Sequence, residues 1–273
     1  MKLLEGLDIE GEKTNYVKQA KAILKGVGNL RLIGETGVGK TTLVEVLSEE
    51  NDWELYSQVL SKDTTKWDLL ASDTLKDGNT EVRKGIITRW LEDDSDKGKI
   101  LYLDGWNYCS NDIKSITESL TDFRGKVRIN ELNKEYKRTE NHYVIISLNP
   151  RYFGTNTENK AQKRRFESVR MKYLHKKEEA KYLSDNYDIS RKKSLKLASF
   201  AEAARKAYLG KNSNGKGLSM PITLGNLKHY TELLTLGDED LKFELEEIPQ
   251  LAANNYPREE KETVLDCWGG INE

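Results

Sequence analysis

The sequence predicts an α/β protein: a parallel sheet sandwiched by helices over residues 1–175, a small helical lid over 176–236, and an acidic C-terminal tail over 237–273. Three observations carry this reading. Leu30–Ile33 is a short apolar run that enters a glycine-rich loop and then a helix-period pattern (Leu43, Val44, Val46, Leu47). Lys99–Asp104 and Tyr143–Leu148 are apolar runs of the kind buried on both faces in a parallel sheet. Beyond Lys176 the apolar spacing becomes helical.

Residues 1–29 read as a lead-in helical region, with Tyr16, Ala20, Ile23 and Leu24 near helical spacing and Gly26 and Gly28 ending it. The loop that follows, Gly34-Glu35-Thr36-Gly37-Val38-Gly39-Lys40-Thr41, matches G-x-x-x-x-G-K-[ST] between strand and helix, the context in which that motif cradles phosphates. Gly34, Gly37 and Gly39 supply the backbone freedom that lets successive N–H groups converge on a phosphate chain. The helix N-terminus, with Thr42 in the helix proper, adds partial positive charge. Lys40 would contact the β- and γ-phosphates and Thr41 would hold Mg²⁺ through its hydroxyl. The expected ligands are therefore Mg²⁺ and a nucleotide, taken as ATP, although the motif does not separate ATP from GTP.

Trp53–Leu60 suits a second strand, Lys62–Gly85 is polar and reads as a loop or short insertion around Asp77-Gly78-Asn79, and Ile86–Leu91 resumes a helix. Lys99–Asp104 then ends in a carboxylate, which a parallel strand delivers at its carboxyl edge, where Asp104 can hold Mg²⁺ through water. Ile113, Ile116, Leu120 and Phe123 form a helix stripe, and Val127–Lys137 reads as a small β-hairpin. Tyr143–Leu148 ends in Asn149-Pro150, whose polar side chain can touch a γ-phosphate or its attacking water while Pro150 turns the chain away. A polar loop over Arg151–Ala161 leads to Lys163-Arg164-Arg165-Phe166, and Val169–Leu174 is a candidate fifth strand. Ala180–Leu183, Leu195–Tyr208 and Leu224–Leu236 are candidate helices, Gly210–Gly217 a flexible loop between them, and Gly237–Glu273 a loosely packed acidic tail.

Composition narrows the class. With 37% hydrophobic and 33% charged residues and a net charge of −1, the 273-residue chain can bury a core and carries no global field toward nucleic acid or membrane. Met1–Leu7 lacks the apolar run of a secretory signal, and no stretch approaches the ~20 apolar residues of a membrane span, so a soluble cytoplasmic protein is expected. Cys109 and Cys267 form no disulfide framework and, with His142, His175 and His229, show no zinc spacing. Trp67, Trp90 and Trp106 read as core anchors. Lys160–Lys177 and Arg191–Lys196 are basic and Asp238–Glu247 and Glu259–Glu262 acidic; these read as solvated faces, with nucleic-acid contact or complementary neighbouring faces as alternatives.

In order and spacing, Gly34–Thr41, Ile100–Asp104, Ser147-Leu148-Asn149-Pro150 and Arg164-Arg165-Phe166 resemble the AAA+ ATPases, a branch of the P-loop NTPases. The Asn-Pro and the Arg-Phe after it, Lys66–Trp90, and the hairpin over Val127–Lys137 resemble the MoxR and dynein-related branch, which includes the GTPase subunit of the McrBC restriction system. The likeness spans about residues 15–236. It implies a ring of copies, usually a hexamer, with nucleotide between neighbours. Asn149 would position the lytic water, and Arg165 (or Arg164) would reach the next subunit's γ-phosphate as an arginine finger. By the same resemblance, the Asp77–Lys84 tip would contact substrate. Two departures stand out. The family's glutamate after the aspartate is Gly105 here, followed by Trp106 and Asn107, so Asn107 or Asp112 is left as a substitute. Where the lid often carries an arginine, the sequence has Gly225, with Lys228 nearby. Three functions follow: a motor that remodels a partner protein, a nucleotide-binding switch or scaffold with weak hydrolysis, or a DNA-associated NTPase.

Overall fold

The computed structural model describes residues 4–76, 79–150, 164–210, 217–238 and 241–271. Two short strands, β1 (Glu5–Leu7) and β2 (Lys13–Asn15), pair with each other ahead of α1 (Tyr16–Val27). Then come β3 (Asn29–Ile33), α2 (Lys40–Asn51), β4 (Glu54–Val59), α3 (Lys66–Leu69), β5 (Ala71–Lys76), β6 (Asn79–Lys84), α4 (Ile86–Glu92) and β7 (Lys99–Asp104). They are followed by α5 (Asn111–Thr121), β8 (Lys126–Ile129), β9 (Lys134–Lys137), β10 (His142–Leu148) and β11 (Glu167–Arg170). The helices α6 (Lys176–Asn186), α7 (Arg191–Tyr208), α8 (Leu224–Leu234), α9 (Ile248–Ala253) and α10 (Lys261–Gly269) complete the described chain. It divides into two compact units, Asn15–Glu35 with Gly39–Met171, and Met1–Thr14 with Thr36–Val38 and Lys172–Glu273.

The first unit is built on a five-stranded sheet in the order β11-β3-β10-β7-β4, every pairing parallel, flanked by helices. Its central strands are apolar because both faces are covered: Leu30, Leu32, Ile100, Leu101, Leu103, Val144, Ile145 and Ile146 are all buried. Registers Leu148↔Ile33, Ile146↔Leu103 and Val59↔Asp104 bring the carboxyl ends of β3, β10, β7 and β4 side by side, the edge where open α/β sheets bind ligands. Trp90 and Trp106 are core residues; the indole N–H of Trp90 donates to the Lys99 carbonyl at 3.1 Å. Trp67, in contrast, is 44% exposed.

Local sequence explains the boundaries. The Asn15 side chain caps α1 by accepting from the Lys18 N–H, and Gly28 ends it with φ +78°. Gly26 lies inside the helix rather than ending it. Residues 5–15 form the β1–β2 hairpin instead of helix. Phe123 lies past the end of α5 and is fully in solvent, so it is not among that helix's buried residues, Ile113, Lys114, Thr117, Leu120 and Thr121.

The polar segment Lys62–Gly85 is more ordered than expected. It carries α3, capped by a reciprocal Thr65–Asp68 box, and the antiparallel β5–β6 hairpin. That hairpin is free of the five-stranded sheet, so it needs no apolar face and shows no apolar alternation. The expected tip turn at Asp77-Gly78 lies outside the described residues, as do Arg151–Lys163 and positions 211–216. The hairpin expected over Val127–Lys137 is present as β8–β9, and the fifth strand begins slightly earlier than expected, at Glu167.

The second unit is mainly helical. Leu183, Leu197, Phe200, Leu227, Ile248, Val264 and Trp268 share one apolar cluster, with the Phe200 and Trp268 rings edge-to-face at 5.3 Å. The acidic stretch after Gly237 is therefore not a loosely packed tail. Ile248 and Ala252, and likewise Val264 and Trp268, stand four residues apart and are buried, while Glu244 and Glu247 are spent capping the turn before α9. Among the described residues no helix is long and apolar enough to cross a membrane.

Candidate nucleotide site

The loop Gly34–Gly39 leaves β3 with the Gly34 N–H donating to the Leu148 carbonyl at 3.1 Å. Gly37 and Gly39 adopt φ of +79° and +94°, a region costly for residues with a Cβ. Gly39 is the N-cap of α2, whose first turn holds Lys40, Thr41 and Thr42 and has no acidic residue to neutralise the helix N-terminus. Thr41 and Thr42 are exposed, and the Thr41 hydroxyl is 3.5 Å from the Tyr102 hydroxyl. Glu35 and Val38 are half-buried and Thr36 exposed.

Lys40 is buried, and its ammonium is held by three acceptors: the Gly34 carbonyl at 2.8 Å, the Glu35 carbonyl at 3.0 Å and Asn149 Oδ1 at 2.6 Å. Burial pushes its pKa down to about 8, with the carboxylates of Asp104 and Glu35 pulling the other way. The ring of carbonyls thus occupies the lysine's donors in a way that an anionic phosphate would relieve.

Asp104 ends β7. One of its carboxylate oxygens accepts a short hydrogen bond from the Ser147 hydroxyl, whose oxygen in turn accepts from the Gly105 N–H at 3.1 Å. Burial, and then the neighbouring Asp104 charge, holds the Tyr102 hydroxyl well above its ordinary pKa, so it remains a neutral donor beside Thr41. Because β10 lies between β3 and β7, Asn149 emerges between the loop and Asp104. The structure thus brings Gly34, Lys40, Thr41, Asp104 and Asn149 to one sheet edge.

Gly105 has φ +79° and ψ 33° and opens a tight turn in which its carbonyl accepts from the Tyr108 N–H at 2.9 Å. A Cβ here would sit 2.9 Å from the Tyr108 ring and 3.1 Å from the Leu60 carbonyl. The absence of glutamate is thus part of the turn's geometry. Asn107 is buried, and its carboxamide pairs with the Asn149 backbone, donating to the carbonyl at 3.2 Å and accepting from the N–H at 3.3 Å. These two bonds hold the Asn149 backbone in place. Asp112 is exposed in the first turn of α5, where a carboxylate suits the helix N-terminus.

Arg164 is exposed and Arg165 half-buried, and both precede β11. The Arg165 carbonyl accepts from the Asn29 side chain at 3.0 Å and its guanidinium lies 3.8 Å from Glu118. They stand at the amino ends of the strands, opposite the phosphate loop, so the fold does not bring them to this chain's own candidate site. In the helical unit Gly225 is the second residue of α8, Thr223 and Asn226 form its capping box, and the Lys228 ammonium lies over the Tyr182 ring.

The donor set suits Mg²⁺. Thr41 and Asp104 offer hard oxygen ligands, and this ion keeps waters and takes phosphate oxygens rather than an all-protein cage. Among the described residues there is no cluster of three or more His, Cys, Asp or Glu that could hold a metal. Ser147 and Tyr102, absent from the sequence-based site, are polar interruptions near the ends of apolar strands, which is the signal that could have found them.

The chain's similarities agree with this geometry. Two uncharacterised proteins from Staphylococcus aureus strains, bovine RF122 / ET3-1 and USA300, are each 29% identical over 160 residues, which is 57% of this chain. The match spans 59% of the relatives' own length. A solved structure from Cytophaga hutchinsonii, described as a candidate ATPase, superposes with a TM-score of 0.51 at 16% identity, covering 97% of this chain and 91% of its own, a likeness of fold. Residues 29–166 match the AAA domain of the dynein-related subfamily, the segment that carries the loop, Asp104, Asn149 and both arginines. The chain belongs to that family of AAA domains.

Proposed function

We propose that this protein binds Mg-ATP at the carboxyl edge of its sheet and hydrolyses it as one subunit of a homo-oligomeric ring, expected to be a hexamer, that remodels a partner protein. The observation that carries the reading is the Lys40 ammonium, buried and 2.6 Å from Asn149 Oδ1, with Asp104 on the adjacent strand end. The backbone N–H groups from Gly34 to Thr42 would bind the phosphate chain, and Lys40 would exchange its carbonyl partners for phosphate oxygens. Thr41 and Asp104 would hold Mg²⁺, which when bound supplies charge neutralisation on the β- and γ-phosphates. Ser147 orients the Asp104 carboxylate and Asn107 fixes the backbone of Asn149, whose side chain would place the attacking water. Arg165, or Arg164, would act on a neighbour's nucleotide, a role worth roughly 10³–10⁵ in rate.

A second reading has a specific support. With glycine at 105 in a turn that leaves little room for a side chain, and Asn107 paired with the Asn149 backbone, neither of these two positions supplies a general base. Loss of such a base typically costs about 10²–10⁴ in rate, which favours a nucleotide-gated switch or scaffold with slow turnover. The test is steady-state hydrolysis of ATP and GTP with Mg²⁺ across protein concentrations, beside a fluorescent-nucleotide binding titration, for the native chain and Lys40→Ala. Concentration-dependent turnover lost in Lys40→Ala supports the ring ATPase. Tight binding without turnover supports the switch. No binding at millimolar nucleotide refutes both.

A further inference from the structure

We propose that Tyr173 is a positioning residue for the phosphate-binding loop, setting the direction of the Gly37 N–H. The proposal rests on the nucleotide-binding reading above and deepens it. The Tyr173 hydroxyl donates to the carbonyl of Thr36 at 2.9 Å. A trans peptide is planar, with its C=O and N–H pointing in opposite directions, so a carbonyl held toward Tyr173 aims the next N–H, that of Gly37, directly away from it. In a loop of this type the N–H groups are the phosphate ligands.

The tyrosine is itself fixed. It is buried, and the Arg205 guanidinium stacks on its ring with Cζ 4.6 Å from the centroid. Arg205 is fully buried and anchored by Glu179 at 2.8 Å and by the Ile222 carbonyl at 2.7 Å. The residue after Ile222 completes the arrangement: the Thr223 methyl fills the space beside Gly37, 2.3 Å from where a Cβ would lie. Arg205 therefore supports two contacts that meet on successive loop residues, one through the Tyr173 ring and one through the Ile222–Thr223 backbone. All of these residues fall in a single structural unit, which takes in Thr36–Val38 along with Lys172–Glu273. The sequence motif alone gives no reason for the tip of a phosphate loop to cluster with the helices that follow the sheet. The hydroxyl of Tyr173 and the methyl of Thr223 supply one.

The experiment uses Tyr173→Phe, which keeps the ring and its Arg205 stack and removes only the donor. Affinity for a fluorescent ATP analogue, KM and kcat are measured together with the urea midpoint of the ligand-free protein. Tyr256→Phe is the matched control, because its hydroxyl also donates to a carbonyl in the same unit, that of Met220 at 3.1 Å, rather than to a carbonyl of the loop. Expected for Tyr173→Phe are a Kd and KM raised about 3–10-fold, kcat within twofold, and a urea midpoint shifted no more than that of Tyr256→Phe. Nucleotide affinity equal to that of the native chain, or an equal loss in Tyr256→Phe, overturns the proposal while leaving nucleotide binding intact. A native chain that binds no better than Lys40→Ala removes the nucleotide reading and this inference together.

Discussion

Replacing Gly105 and Gly26 by alanine should move stability in opposite directions, and the structure sets both magnitudes. Both residues lie in the sheet-bearing unit, so they report on the same unfolding transition. Gly105 sits at φ +79°, where an L side chain costs about 1–2 kcal/mol in backbone strain. The alanine methyl would also lie 2.9 Å from the Tyr108 ring and 3.1 Å from the Leu60 carbonyl. The ring can shift, but the carbonyl is held at the β4–β7 edge, where the Leu60 N–H donates to the Asp104 backbone carbonyl at 2.7 Å. A total loss of about 2–3 kcal/mol is expected for Gly105→Ala. Gly26 has ordinary helical geometry inside α1, with nothing within 4 Å of an added Cβ. Gly26→Ala should therefore gain about 0.5–1 kcal/mol. Urea unfolding followed by far-UV circular dichroism reads both. A Gly105→Ala midpoint within about 0.5 kcal/mol of native, after conversion by the slope, refutes the conclusion that this turn requires glycine. It would also reopen Gly105→Glu as a way to install the glutamate that the family resemblance leads one to expect after Asp104. With the geometry described, Gly105→Glu is expected to destabilise the chain rather than to raise turnover.

Further outcomes follow from charges in the structure. Lys40 has its pKa lowered by burial to about 8, and an anionic phosphate would raise it, so binding should take up protons on the alkaline side of neutrality. Calorimetry at pH 8 in buffers of different ionisation enthalpy should show about half a proton taken up per nucleotide, and equal heats at that pH would contradict the assignment. His142 is pushed below its ordinary pKa by burial, with one ring nitrogen 2.6 Å from the Thr139 hydroxyl and the other 2.9 Å from the Trp90 carbonyl. Its folded value lies below the unfolded one, so its contribution is complete above pH ~6.5 and is lost as pH falls further; His142→Gln should flatten that part of the stability profile. Glu179 and Arg205 form a buried pair at 2.8 Å, and burial raises the Glu179 carboxyl despite the pull of Arg205. Arg205→Met should cost about 3–5 kcal/mol, and adding Glu179→Leu should recover most of it, as a double-mutant cycle in urea would show.

Elements whose signal is local could be read directly. Leu30–Thr42 announces strand, loop and helix within one continuous stretch, and Lys99–Asp104 and Tyr143–Leu148 are apolar because each strand is covered on both faces. The β5–β6 hairpin escaped because it packs in no larger sheet and so carries no apolar alternation. The helices α9 and α10 escaped because they are short and their buried pairs, Ile248 with Ala252 and Val264 with Trp268, each follow a run of glutamates (Glu244, Glu246 and Glu247; Glu259, Glu260 and Glu262) that dominates the composition.

The sequence by itself determined the phosphate-binding loop, the parallel α/β class and the order of the polar residues that follow successive strands, since each depends on neighbours in the chain. Only the tertiary structure decided which of them meet. Strand order places Asn149 against Lys40; register sets Ser147 on Asp104; the Asn107 carboxamide closes on the Asn149 backbone; and Tyr173 reaches the carbonyl of Thr36. It also decided that Gly105 turns through the left-handed region and that Arg165 stands at the far edge of the sheet. These are contacts between residues tens of positions apart, or dihedral angles imposed by such contacts. No spacing rule encodes them, because they arise when separate segments compete for the same buried space and the same hydrogen-bond partners.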